Sequence, residues 1–358
     1  MPPRVQTGSK ASQGYRAVTI TGLLLLAFVL ACRFSQGVAD FYSCHLYPAI
    51  SATLSWLSSG VPFSVQDIAL MLLVGTFIGT IAVALVRRWS IGRCLRHECT
   101  LVLWTFVWFY MAWCANYFRS SLFDRTGTRP LAYQEQSFKA FAQGFVLRIN
   151  EEWTDSVAID QVELEKDIKG YYSCVPDRYG LAMPRSWQHP KYTFFNRIYS
   201  SVGIQGFMEP LFSESCLNQD LPLIDHPFVY AHEYAHLLGV SSEAECNWWA
   251  FHACMASSHQ AVRYSGLKGI LSHLLNNAGS LLTREDYLEL FASIRPEVQA
   301  DMKQTSQHWQ RLLSPTLRRI HTETYDAFLR SNTIASGMQN YSEVIGMLMS
   351  VEAPSGGE

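Results

Sequence analysis

Phe228 to Asn247 reads FVYAHEYAHLLGVSSEAECN. It contains His232-Glu233-Tyr-Ala-His236 on a stretch with helical apolar spacing. Residues one helical turn apart share a face, so two imidazoles at i and i+4 can hold one zinc ion. Glu233 stands beside that face, within reach of a water that the ion would activate, and is the candidate general base. Phe228, Val229, Leu237 and Leu238 make the helix half-buried. Two unpartnered imidazoles and a carboxylate would be costly there, and a metal would satisfy them. A helix with two incidental histidines is the competing reading.

A hydrolytic zinc site takes three protein ligands and leaves one position open. Gly239 suits the left-handed position that ends a helix. Ser241 or Ser242 then caps the next helix, which opens with Glu243 and Glu245. Glu243 is the candidate third ligand, with Asn247 one turn later placed to orient a ligand. Glu245 is the alternative ligand, although with Ser242 it completes an S-x-x-E capping box. His252, further along, reads as a core or surface histidine.

Outward from the motif, the chain is charge-poor: of 358 residues, 49% are apolar and only 16% charged. Its 13% aromatic residues argue against disorder, and a net charge of −2 gives no electrostatic case for nucleic acid. Three uncharged runs, about 17–33, 68–86 and 99–118, predict three transmembrane helices. Buried core helices are the alternative, and the first run could instead be a signal peptide with a site near Ala39. Arg4, Lys10 and Arg16 precede the first run, and Arg87, Arg88, Arg93 and Arg96 follow the second. The positive-inside rule puts both groups in the cytoplasm and everything after Phe118 on the outer face. The predicted organisation is a cytoplasmic tail 1–16, a membrane region 17–118, an extracytoplasmic domain 119–352 and a flexible tail 353–358. Tyr47 to Ser59 reads as a short interfacial helix or a connecting loop.

The outer domain is mainly α. Glu135 to Trp153, Val157 to Tyr171 and most of Phe228 to Met349 have helical spacing, and Ile204 to Phe212 is the small extended segment. Cys174 and Cys216 are the one pair considered for a disulfide.

These residues resemble the bacterial domain of unknown function 3810 family, a membrane-anchored zincin-like group. The resemblance rests on His232 to His236, Gly239, and Glu243, Glu245 and Asn247. Asn116 to Arg119, Gly206 to Met208 with Pro210, Glu214 and Asn218, Tyr325 to Arg330, and Gly337 to Tyr341 also fit. It spans nearly the whole chain, but only the motif region is sharply specific. Glu243-x-x-x-Asn247 also resembles the Glu-x-x-x-Asp segment of CAAX-processing membrane peptidases, in which the first Glu is the ligand. The short gap after His236 departs from that pattern. It is similar instead to metzincins, which use His where this chain has Ser242.

The expectation is therefore an integral protein of the bacterial inner membrane that hydrolyses an envelope protein or peptide. His232, His236 and Glu243 hold Zn2+, and Glu233 passes the proton from the attacking water to the leaving amine. Tyr325, Tyr341 and His321 are candidates to steady the oxyanion. Ile204 to Phe212 could pair with substrate as an edge strand. Glu214 and Asn218 are candidates to line the cleft, and Asp225 or His226 to support the site. The partners are the lipid bilayer and a peptide or protein. The alternative function is a zinc-binding membrane sensor without turnover.

Overall fold

The computed structural model describes residues 7–130, 134–156 and 158–351, with the side chains of 7–13 and Tyr341 left out. The tail 353–358 and part of the tail 1–16 lie outside the described residues. Among the described residues two helices are long and apolar enough to cross a membrane: Gly14–Phe34, within α1 (Thr7–Phe34), and α4 (Val65–Val86). Between them run α2 (Gln36–Phe41), a π-helical turn (Tyr42–Leu46) and α3 (Tyr47–Ser58). The stretch left between interfacial helix and loop is thus helical.

The third predicted span needs correction. Helix α5 covers Ile91–Ala112, not 99–118, and it is not among the helices apolar enough to cross. Arg93, Arg96 and Glu98 occupy its first turns. The helix breaks at Trp113, and a buried 3-10 turn (Cys114–Phe118) follows. An apolar run read from sequence straddled that break. Helix α5 nevertheless packs along α1 in the same direction. Tyr15 donates to the Arg96 carbonyl at 2.7 Å, and Gly22 lies against Leu103 and Trp104.

Helices α6 (Leu122–Thr126), α7 (Glu135–Glu152), α8 (Gln161–Ser173) and α9 (Asn196–Val202) lead to an antiparallel hairpin. Strand β1 (Gly206–Glu209) pairs with β2 (Glu214–Leu217), Phe207 opposite Cys216 and Glu209 opposite Glu214. The extended segment is where the sequence placed it. Cys174 and Cys216 are unpaired.

The centre is built from α10 (His226–Leu237), α11 (Glu243–Met255) and α12 (Gln260–Leu281). Trp248, Trp249, Tyr230, Tyr234 and Tyr264 are fully buried among them. Helices α13 (Arg284–Ala292), α14 (Pro296–Leu312), α15 (Pro315–Ser331) and α16 (Val344–Ser350) complete the domain. The core is continuous with the first helices: Cys32, Tyr42, Tyr47 and Trp113 belong to the same buried cluster.

This continuity fixes the end of α10. A helix leaves its last carbonyls without intrahelical partners. Here Trp113 Nε1 donates to the His236 carbonyl at 2.8 Å and Tyr47 to that of Leu237 at 2.8 Å. Arg119 donates to the Gly239 carbonyl at 3.1 Å. Gly239 has φ +98°, and a Cβ there would lie 2.9 Å from the Tyr47 ring. The residues that join bundle to domain therefore clamp the helix that carries the histidines.

Candidate metal centre

His232 and His236 lie one turn apart on α10, nearly buried, with ring centroids 4.9 Å apart. Gly239 turns the chain, and Ser242 caps α11 by accepting from the Glu245 amide. Asn340 also accepts from Ala244 N at 3.1 Å. These contacts aim the buried Glu243 at both rings. Its Oε2 lies 3.1 Å from His232 Nε2 and 3.3 Å from His236 Nε2.

The opposite ring nitrogens determine what this means. His232 Nδ1 lies 2.8 Å from Asn247 Oδ1, and His236 Nδ1 lies 2.8 Å from the Val240 carbonyl. Both acceptors require a proton on Nδ1. In neutral imidazoles both Nε2 atoms then carry lone pairs, and both face a carboxylate oxygen. Three acceptors meeting in a buried space are satisfied by a proton or a cation among them. Ligands about 2.0–2.1 Å from a tetrahedral zinc lie roughly 3.3 Å from one another, so the separations fit such an ion. Without an ion, burial raises the Glu243 carboxyl, while protonated His236 and His232, donating from Nε2, hold it well below the usual range.

Cys246 Sγ offers a second donor set, because it groups closely with both histidines. It meets His236 on the Nδ1 side, at 3.2 Å, where Val240 already takes the proton. Glu243, which faces Nε2 of both rings, is the better candidate for a third ligand. Glu245 is committed elsewhere: it forms a buried ion pair with Arg125 and accepts from Trp249 Nε1 at 3.0 Å.

Glu233 is 5% exposed, and its Oε2 has no hydrogen-bond partner among the described residues. Burial pushes its carboxyl up to about 6, with His232 and His236 opposing and Glu243 adding to the rise. Strand β1 passes over it. A Cβ on Gly206 would lie 2.7 Å from Glu233 Cγ and 2.9 Å from Val229 Cγ1. Gly206→Ala must therefore shift the strand or the carboxylate. Displacement near 1 Å costs about a hundredfold in rate. We expect hydrolysis to fall about ten- to a hundredfold with metal content unchanged, read from turnover beside elemental analysis.

The other sequence candidates separate clearly. Tyr325 Oη donates to Glu243 Oε1 at 2.5 Å and so holds the ligand oxygen that does not face the rings. His321 stacks on Tyr325, centroids 5.7 Å apart. Tyr341 lies on the 3-10 turn Gly337–Glu343, with its side chain outside the described residues. Glu214 does not line a cleft: it binds Lys191 and accepts from Val65 N and Gln66 N at the start of α4. Asn218 bridges Ser200 and the Ile204 carbonyl. Asp225 pairs with Lys268 at 2.5 Å. His252 is half-buried on α11, with Nε2 buried and unpartnered among the described residues.

Sequence reasoning found Asn247 through its i+4 spacing. It missed Trp113, Tyr47 and Tyr325 as supports, since each contact joins residues at least 82 positions apart. Partners that orient metal-binding histidines are commonly worth ten- to a hundredfold in affinity. Asn247→Ala should weaken zinc binding by about that factor, measured by competition with a chromophoric chelator.

The chain matches, over residues 42–349, a family described as "Protein of unknown function (DUF3810)". It belongs to that family. No curated protein and no solved structure matches the chain. The DUF3810 match includes the motif helix, the hairpin and Tyr325, and begins after α1.

Proposed function

We propose that this DUF3810 protein is a membrane-anchored zinc-dependent peptidase. The observation that carries the reading is the meeting of His232 Nε2, His236 Nε2 and Glu243 Oε2, with the unpartnered carboxylate of Glu233 beside them. A purely structural zinc site has no use for that base.

His232, His236 and Glu243 would hold the ion, which supplies Lewis-acid chemistry when bound. Asn247 and the Val240 carbonyl keep both imidazoles in the ligating tautomer. Glu233 takes a proton from the attacking water at its free carboxylate oxygen and delivers it to the leaving amine. Tyr325 acts on the ligand: bonded to Glu243, it fixes that carboxylate.

The hairpin supports a peptide substrate. Ser215 O and Leu217 N bond to Lys191, so alternate residues of β2 face β1. In this register Phe207 and Glu209 bond to β2, and the N–H and C=O groups of Gly206 and Met208 point to the other edge. Among the described residues no backbone partner takes that edge. An extended peptide added there would lie beside Glu233.

The membrane reading extends to α5. Helices α1 and α4 would span, and α5, parallel to α1, would cross with them, its Arg93 and Arg96 level with Arg16. The Arg-rich ends then lie in the cytoplasm and the domain on the outer face.

The test is zinc content and peptide hydrolysis by the full chain in nanodiscs. One zinc per chain, with hydrolysis lost on chelation and restored by zinc, is the expected result. Zinc without hydrolysis across a broad peptide library favours a sensor, and absence of zinc defeats the reading.

A further inference from the structure

The free edge of β1 leads from the candidate catalytic base to the bundle. Its first residue, Gly206, lies against Glu233. Its far end enters the hairpin tip, and the tip is bound by both neighbouring helices of the bundle. Trp108 Nε1 of α5 donates to the Leu211 carbonyl at 3.1 Å, and Leu211 N donates to Gln66 Oε1 of α4 at 2.8 Å. Ser64, the cap of α4, bonds Glu209 at the end of the strand.

These contacts lie where the helices leave the domain. Gln66 is in the first turn of α4, whose next residues include the exposed Ile68, Leu70 and Met71. On α5, Val102, Phe106 and Trp108 are likewise exposed and apolar. Trp at this position suits a membrane–water interface, with its ring in apolar surroundings and its N–H satisfied. From Gly206 to Leu211 is five residues, or about 17 Å of extended chain. A peptide paired with Gly206 and Met208 therefore reaches the bilayer surface within about five residues of Glu233.

We propose that the substrate is a membrane-tethered polypeptide, cut within a few residues of where it leaves the bilayer. The inference rests on the peptidase reading and names the substrate class for the same site. A strand edge that runs from the reacting centre into the gap between two membrane helices matches a chain that is itself held in the membrane. A soluble peptide gains nothing from that continuity.

The test uses the full chain reconstituted in liposomes. The probe is a single transmembrane helix followed, at its amino or its carboxyl end, by roughly 25 randomised residues, long enough to reach the domain in many registers. The same randomised segment without a helix is the control, and Glu233→Gln the blank. Cut sites are mapped by mass spectrometry. The expected result is accumulation within about eight residues of the helix end, at least about tenfold above sites beyond fifteen. An even spread, or equal cutting of the free segment at scattered sites, overturns the inference and leaves the peptidase standing. No cleavage of either probe overturns both.

Discussion

In the Glu233→Gln protein, zinc should remain bound while peptide hydrolysis falls by about two to four orders of magnitude, the usual range for loss of a general base. The substitution conserves shape and removes only the capacity to carry a proton. The donor atoms His232 Nε2, His236 Nε2 and Glu243 Oε2 are aligned by Asn247, the Val240 carbonyl and Tyr325. The Glu233 carboxylate is buried with one oxygen unpartnered, so a neutral amide suits the position at least as well. Loss of turnover should therefore come with unchanged metal content and an unchanged unfolding midpoint. Loss of zinc together with activity would show Glu233 to be a support for the site rather than its base. Undiminished hydrolysis would place the base elsewhere.

The motif was legible because its information is local. The His232–His236 face, the turn at Gly239, the cap at Ser242 and the Glu243–Asn247 pair lie within sixteen residues, and helical geometry alone brings them together. The choice between Glu243 and Glu245 was not local. Two residues on a helix point to different faces, and Arg125, 120 positions away, draws Glu245 from the site. The clamp of Trp113 and Tyr47 on the end of α10 has the same character. Hydropathy located α1 and α4 but misread α5, because its charged first turns lie outside the uncharged run. Glu214 looked like a cleft residue from its place in the family pattern. Its contacts to the start of α4 span about 150 residues and have no sequence periodicity.

Those contacts carry the second large expectation, which concerns stability and pH. Glu209, Glu214 and Asp67 are all buried where α4 meets the hairpin. Glu214 has Lys191 at 2.6 Å and two backbone N–H donors; Asp67 has Thr193 and the Phe194 amide, each at 2.8 Å. Glu209 accepts from the Ser64 hydroxyl and lies against Glu214 and Cys216, and its Oε1 has no hydrogen-bond partner among the described residues. Burial pushes its carboxyl up to about 8, with Ser64 opposing and Glu214 and Asp67 adding repulsion. The folded chain therefore keeps a proton that the unfolded chain releases near pH 4.5. Stability falls as pH rises between those values, by up to about 5 kcal/mol in all, since each unit is worth about 1.4 kcal/mol. Half-buried His252 and His273 act in the opposite sense. Burial lowers both to about 4, so their contribution is present above 6.5 and lost as pH falls. Above pH 6.5 the two histidines add no further change, and the Glu209 decline continues to about pH 8. Glu209→Gln removes the alkaline decline alone, because the amide can still accept from Ser64 and never ionises. Chemical unfolding in detergent from pH 5 to 9 should give curves that converge at the acid end and separate by several kcal/mol at pH 9, the variant being the more stable. Parallel curves would mean that Glu209 is ionised in the folded protein, with a cation or water supplying the partner its Oε1 lacks.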